Sequence, residues 1–438
     1  MNIQFQHLFA NSDTGFFQGK RRDSIFWSLF LVGLFIRAYF CFGKDLSFDS
    51  LDFIFYIQSQ DPNSLHWSNY PPLFFFLGKM VNVVWTDSVL ALQVLVFSIH
   101  AIGFVVLAHF FRKLPLFALV LLTLYPASLY AGTQIAPAAL VECLSILLFV
   151  LLQKSEIRRQ DWVAISILVL LLFATTYTAV IYAAFLAFTR SSRIKGVRAR
   201  TLLLLGLTAA GIWTYFQVGW KTISWLNTDS IGASAVASSE LFYAFAGYSW
   251  ISLGLLIAGL IHRRRIGMER ELTLLGTMFL VVISLNVLLS KTANEPRYFI
   301  FWTPWILLFF LRAVEKLKPQ LKVGFMLLMT FLVLKGGLWF LVYPRSGLQE
   351  VKDLLQVDKP TQVNSINLSP RARRDFRTYE TTDSTTCRRA YIWRLKDRSN
   401  LEIEKNVQSE GGVLIKDVTT RQPAVDPLKY QLWAGNCS

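Results

Sequence analysis

"WVAISILVLLLFATTYTAVIYAAFLAFT", residues 162–189, runs for 28 residues without a charge. About 20 apolar residues suffice to cross the hydrocarbon core of a bilayer, so this run is long for one span. Basic residues bound it on both sides: Lys154, Arg158 and Arg159 before it, and the Arg190–Arg200 cluster after it. Positive loops stay on the cytoplasmic side, and a single crossing would export one of the two clusters. "ATTYT", 174–178, interrupts the run with small and hydroxylated residues. The stretch therefore reads as two short helices, up and back, with their tip at outer depth. Irregular backbone there must be buried in protein or line a wet cavity. One tilted helix is the plainer alternative.

The rest of the topology follows outward from this hairpin. Other apolar runs fall near 25–42, 88–111, 116–134, 137–153, 201–218, 241–261, 272–289, 298–313 and 324–343. Further basic clusters lie at Lys20–Arg22, Arg112–Lys113, Arg263–Arg265 with Arg270, and Lys316–Lys322. With the N-terminus inside and the hairpin counted as two spans, every cluster falls inside. The expected architecture is an all-α polytopic membrane protein. A bundle of about eleven transmembrane helices occupies 1–343, and a small extracytoplasmic α/β domain occupies 344–438. Composition agrees: the 438 residues are 54% hydrophobic and only 16% charged, with mean hydropathy +0.43, where soluble domains carry about 25% charge. Lys20, Arg21 and Arg22 precede a long apolar helix without a cleavage-site pattern, which reads as an uncleaved first span. The net charge of +16 is scattered over short loops, as the positive-inside rule requires, and does not point to nucleic acid.

Three segments then face outward: 43–87, 219–240 and the tail from Pro344. The first contains "SFDSLDFIFYIQSQDPNSLHWSNYPPLFFFLGK", 47–79. Loops of this length are usually functional. "DSLDFIFYIQ" has helical apolar spacing and is expected to lie in the membrane interface. "PPLFFFLGKMVNVVW" is expected to form a second helix with proline in its first turn. Asp49 and Asp52, three apart, share one face. A carboxylate at such a place can serve as general base toward a hydroxyl; helix capping by Ser47 or Asp49 is the plain alternative. In the tail, "RAYIWRL" and "GGVLIKDV" read as strands. Cys387 and Cys437 lie there together in an oxidising compartment and are disulfide candidates. Closing a loop of about 50 residues stabilises by a few kcal/mol. Cys41 and Cys143 sit in apolar runs as packing residues. No Cys/His spacing resembles a metal site; a divalent ion stays open but nothing in the sequence indicates one.

Charges inside spans are costly and invite a functional question. Arg37, in the outer half of the first span, either snorkels to the interface or points into the bundle to hold an anion. Glu142 lies near the outer end of the fourth span, and an ion pair with such an arginine is its plain role. Lys335 in the last span snorkels or pairs. His100 and His109 are nine residues apart, poor spacing for one ligand face, and read as packing or hydrogen-bonded residues. "KTANEPRYFIFWTPW", 291–305, places Lys291, Glu295, Arg297 and Tyr298 in a short outward loop before a helix. The planar guanidinium fork suits phosphate oxygens; an interfacial anchor belt is the alternative.

Several of these pieces together resemble one superfamily. An outward loop beginning with Asp49, then "YPPLFFFLGK", then "DSVLALQVLVFSIHAIGFVVLAHFFRKL" is similar to GT-C glycosyltransferases. The likeness is greatest to bacterial relatives of protein O-mannosyltransferases, including the aminoarabinose transferase of lipid A and core-sugar transferases of rhizobial type. "LYPASLY" (124–130) resembles their next outward turn, "EPRYFIFWTPW" their late Arg-Tyr segment, and "FDSLDF" the Trp-Asp-Ser motif of the second GPI mannosyltransferase. The similarity spans roughly residues 25–315. It implies an inverting transfer of mannose or a related hexose from a polyprenyl-phosphate-linked donor to a glycan, lipid or protein acceptor on the extracytoplasmic face of the inner membrane. On this resemblance Asp49 is the base, with Asp52 as fallback. Arg297 and Tyr298, with Arg37 and Lys291, contact the donor phosphate. Tyr70, Pro71 and Pro72, with Glu142 and Glu295, line the groove. The chain departs from the pattern in two places. It has Ser50 where relatives carry Glu, and Pro137 where many carry a second acidic residue. A lipid-linked-sugar carrier, or an accessory protein acting through its tail, is the rival class; no internal repeat of the kind common in transporters is visible.

Overall fold

A computed structural model describes residues 20–43, 48–58, 72–85, 88–111, 159–176, 257–269, 300–342, 348–365, 376–381, 387–394, 413–419 and 428–435, most of 121–153, and isolated positions such as Leu46. The spans expected at 201–218 and over most of 272–289, and the loop 219–240, lie outside the described residues.

Helix α1, Lys20–Phe42, leads through α2, Phe48–Gln58, and α3, Leu73–Val84, to α4, Ser88–Phe111. Ser24–Phe42 and Val89–Phe110 are long and apolar enough to cross a membrane. Trp27, Leu31, Val32 and Phe35 on α1, and Ile102 and Val105 on α4, are exposed. So apolar a continuous surface has no place in water and suits lipid. The two helices run antiparallel: Phe30 stacks on Phe104 at 5.1 Å, while Gln93 Nε2 donates to Cys41 O at 2.8 Å.

Helix α5, Ala138–Leu152, runs in the same direction as α4. His100 faces Glu142, and a Cβ on Gly103 would lie 3.2 Å from Cys143 Cα and 3.4 Å from Ile146. Glycine at 103 thus lets the two backbones touch. Parallel neighbours require the chain between them, 112–137, to return to the side on which α4 begins. Thr123, within that stretch, accepts a hydrogen bond from Arg37 on α1.

Helix α6, Arg159–Phe173, has 15 residues, about 22 Å at 1.5 Å per residue, short of the roughly 30 Å hydrocarbon core. It ends where the hydroxylated residues begin. Thr175 Oγ1 donates back to Leu171 O at 2.6 Å, and the Thr175 and Thr176 N–H groups donate to Leu172 O at 3.0 and 2.9 Å. The last carbonyls are thereby satisfied without further helix. Leu73 N–H donates to Ala174 O at 2.9 Å, so this turn reaches the level at which α3 begins. The return arm of the expected hairpin lies outside the described residues.

A four-residue turn of helix, α7 (Arg263–Ile266), precedes α8, Thr303–Lys316, and α9, Pro319–Val342. Helix α8 has proline in its first turn and is buried from Thr303 to Leu311. Trp305 meets Phe149 edge-on at 5.0 Å in the main apolar cluster. Lys335 lies on the exposed side of α9, where a long side chain can snorkel.

The tail packs around helix α10, Leu348–Asp358, and strands β1 (Gln362–Ser365), β2 (Cys387–Arg394), β3 (Val413–Thr419) and β4 (Leu428–Gly435). The sheet order is β1-β2-β4-β3, with β1 parallel to β2 and the other pairs antiparallel. Alternate residues face one core, the period expected of strands: Ala390 and Ile392 of β2 and Leu428, Tyr430 and Leu432 of β4 pack with Val351 and Leu355 of α10. Cys387 is disulfide-bonded, whereas Cys41 and Cys143 are free and buried; Cys437 lies outside the described residues. Leu46, between α1 and α2, packs against both this core and the cluster around α2 and α3. The tail therefore rests on the segment that follows the C-terminal end of α1.

Tyr430 donates to Asp358 Oδ2 at 2.9 Å, and Lys416 Nζ reaches the same carboxylate at 3.0 and 3.1 Å. Burial first, then the bond to Asp358 and its charge, raises the Tyr430 pKa far above that of a free phenol. Unfolded tyrosine loses its proton near pH 10 while the folded residue keeps it, so this stabilisation is complete below about pH 10 and is lost as pH rises beyond it. Tyr430→Phe is expected to cost about 1 kcal/mol at neutral pH and to flatten the alkaline loss of stability. Tryptophan fluorescence melts of the full chain at pH 7 and pH 11 check both.

Candidate active site at the outer end of the bundle

The helix that carries both aspartates is tied down from one side. Ser50, Phe53, Ile54 and Ile57 of α2 are buried, a stripe at the spacing of one helix face. Phe53 meets Phe74 at 5.9 Å and Phe75 at 5.5 Å. The same cluster takes in Ile135, Ala136 and Ala139. The apolar side of α2 thus packs on protein, whereas an interfacial helix was expected to turn it toward lipid. The reason lies in α3, which covers that side and itself exposes Phe76, Met80, Val83 and Val84. On α2, position 49 falls at the edge of the buried stripe and position 52 on its far side, by the helical step alone.

The backbones of Asp49 and Asp52 are described; their side chains are not. Tyr70, Pro71, Lys291, Glu295, Arg297 and Tyr298 lie outside the described residues. Pro72 stands directly before α3, with its φ of −76° already helical.

Below α2 lies a buried polar relay. Arg37 is 1% exposed, His100 3% and Glu142 2%. Arg37 Nε donates to His100 Nε2 at 3.0 Å, and His100 Nδ1 lies 2.9 Å from Glu142 Oε2. The approach of His100 Nδ1 to Glu142 Oε2 lies within ion-pair distance. Among the described residues no hydrogen bond reaches Glu142 Oε2. Arg37 Nη1 donates to Thr123 O at 2.7 Å and Gly33 O at 3.3 Å, and the guanidinium lies 4.0 Å above the Phe104 ring. Arg37 is thus buried with directed partners, the condition under which buried charge is tolerated, and Glu142 lies on the other side of the imidazole.

The relay also shapes the turn that leads into α5. A Cβ on Gly132 would overlap the His100 ring and lie 2.5 Å from Glu142 Oε2, so only glycine lets the chain pass. Thr133 Oγ1 then donates to Leu129 O, and Ile135 N–H donates to Ser50 Oγ at 3.1 Å.

Of the residues singled out from sequence, the structure brings Arg37 and Glu142 together through His100. The described contacts of both are internal, among α1, α4, α5 and Thr123. His100 was expected only to pack or hydrogen-bond. The signal that marks it is a titratable group at the depth of the other two; its spacing from His109 is irrelevant. Ser50 carried no signal in the sequence. Among the described residues no three His, Cys, Asp or Glu side chains come together as metal ligands.

Neither a family model nor a curated protein sequence matches the chain. The crystal structure of ArnT from Cupriavidus metallidurans bound to undecaprenyl phosphate aligns with it at 12% identity and a TM-score of 0.46, covering 95% of this chain and 98% of that one. Identity and superposition at this level are too low to carry activity from one chain to the other.

Gly132→Ala is expected to destabilise by about 1–3 kcal/mol, the usual cost of overpacking. Glu142→Gln keeps an acceptor for His100 but removes the charge opposing Arg37; a loss of about 1–3 kcal/mol is expected. Thermal melts of the detergent-solubilised full chain read both.

Proposed function

We propose that this protein is a GT-C-type glycosyltransferase that moves a sugar, mannose or a related hexose, from a polyprenyl-phosphate-linked donor to an acceptor at the extracytoplasmic face of the membrane. The observation that carries this is the fastening of α2. The helix bearing Asp49 and Asp52 leaves the outer end of α1 and is bound to the bundle by Ser50 and the Phe53–Ile57 stripe. A carboxylate-bearing segment is thereby held at the water edge, where a lipid-borne sugar and a polar acceptor can meet. The order and spacing of the motifs from Asp49 to Arg297 support the same reading.

In this mechanism Asp49 takes the proton of an acceptor hydroxyl as its oxygen attacks the anomeric carbon. The new glycosidic C–O bond forms as the bond to phosphate breaks, and the prenyl phosphate departs with the electron pair. General base catalysis is worth about 10²–10⁴-fold. Arg297 and Tyr298 meet the charge growing on the leaving phosphate, the role of fixed donors at a site where charge develops. Tyr70, Pro71 and Pro72 shape the acceptor side, and Asp52 is the fallback base. The N-terminus is cytoplasmic. The contact of Leu46 with the tail core supports an extracytoplasmic tail on the side of the α2 loop. There Cys437 is the partner proposed for Cys387.

The test is mass analysis of surface glycans and lipids from cells with the protein, without it, and with Asp49→Asn. One product is expected to vanish on deletion and to fall at least about 100-fold in Asp49→Asn at unchanged protein level. A carrier or accessory protein would keep working with asparagine there. Persistence of the product in both Asp49→Asn and Asp52→Asn would falsify the assignment of the base.

A further inference from the structure

We infer that Ser50 is a positioning residue: its buried hydroxyl clamps α2 to the 133–137 turn, and the Arg37–His100–Glu142 relay sets that turn, so the placement of Asp49 depends on a charge cluster carried by other helices. This rests on the transferase reading for its catalytic consequence but not for its geometry.

The links are continuous. Arg37, His100 and Glu142 join α1, α4 and α5 through contacts of 3.0 and 2.9 Å. Gly132 passes against the imidazole and the carboxylate with no room for a Cβ, which fixes where the chain emerges into the turn. Three residues later Ile135 presents its N–H to Ser50 Oγ at 3.1 Å. Ser50 is fully buried, so this bond forms away from competing water, and leaving that N–H without an acceptor would be costly. Apolar packing of Phe53, Ile54 and Ile57 presses α2 onto the cluster but is non-directional. It leaves the helix free to slide or turn by a fraction of a residue. The hydrogen bond is directional and sits next to Asp49 in the chain. A small displacement of a reacting group can cost far more than its contact energy, so the clamp is set where its effect on the base is greatest.

The experiment is amide hydrogen exchange on the full chain in lipid nanodiscs, comparing wild type with Ser50→Ala, Ser50→Thr and Glu142→Gln. Ser50→Ala is expected to raise exchange at Ile135 and through residues 48–58 by about tenfold, the factor that corresponds to one lost hydrogen bond. Ser50→Thr, which keeps a hydroxyl, stays near wild type. Glu142→Gln raises exchange at the same two places although Glu142 contacts neither. If Ser50→Ala leaves 48–58 unchanged, or Ser50→Thr loosens it as much as alanine, the clamp is refuted. If Glu142→Gln leaves both places unchanged, the dependence on the relay is refuted. Should that variant not accumulate, the Ser50 pair decides. Glycan analysis of the same variants is the second arm: product is expected to fall with Ser50→Ala and return with Ser50→Thr. A loosened helix with undiminished product would overturn the transferase reading and leave the clamp standing.

Discussion

A guanidinium buried within a helix long and apolar enough to cross a membrane is the constraint around which α1, α2, α4 and α5 are organised. Arg37 cannot be left unpaired at 1% exposure, since an unpartnered charge in a low-dielectric interior costs several kcal/mol. It is met on four sides: by the His100 ring, by the Gly33 and Thr123 carbonyls, and by the face of Phe104. Its counter-charge, Glu142, acts through the imidazole. These partners come from α1, α4, α5 and the stretch between α4 and α5, so satisfying one side chain fixes the mutual depth of all four. Apolar packing between lipid-embedded helices gives little such register, because lipid tails are as apolar as the side chains they replace.

From that fixed depth the outer surface is assembled by short directed bonds. Gly132 passes the relay, Ile135 reaches Ser50, and α2 comes to rest over the start of α5. On the other side Leu73 N–H holds the end of the α6 turn at Ala174, and Leu46 carries the core of the tail. Segments distant in the sequence thus converge around the loop that bears Asp49.

Much of this was legible before any coordinates. The hydroxylated residues of "ATTYT" coincide with the end of α6, because threonine hydroxyls can satisfy the last carbonyls of a helix locally. "RAYIWRL" and "GGVLIKDV" coincide with β2 and β3, since β-branched and aromatic residues suit a pleated sheet. Helix α2 begins and ends close to "DSLDFIFYIQ". Its orientation was misjudged, because an amphipathic stripe shows that a helix is half buried without showing whether protein or lipid covers it. Ser50 gave no sign of its role, since one hydroxyl in an apolar stretch is as ordinary as any.

By itself, then, the order of residues determined what each segment could be: which stretches are apolar enough for hydrocarbon, which must turn, and which tail segments alternate. Those properties are local, set by side-chain polarity and spacing along the chain. Only tertiary structure decided the pairings. Arg37 with His100, Ile135 with Ser50 and Leu46 with the tail core join residues 63 or more positions apart. Which buried polar group meets which depends on helix depth and rotation, and those emerge only when every donor and charge must find a partner at once.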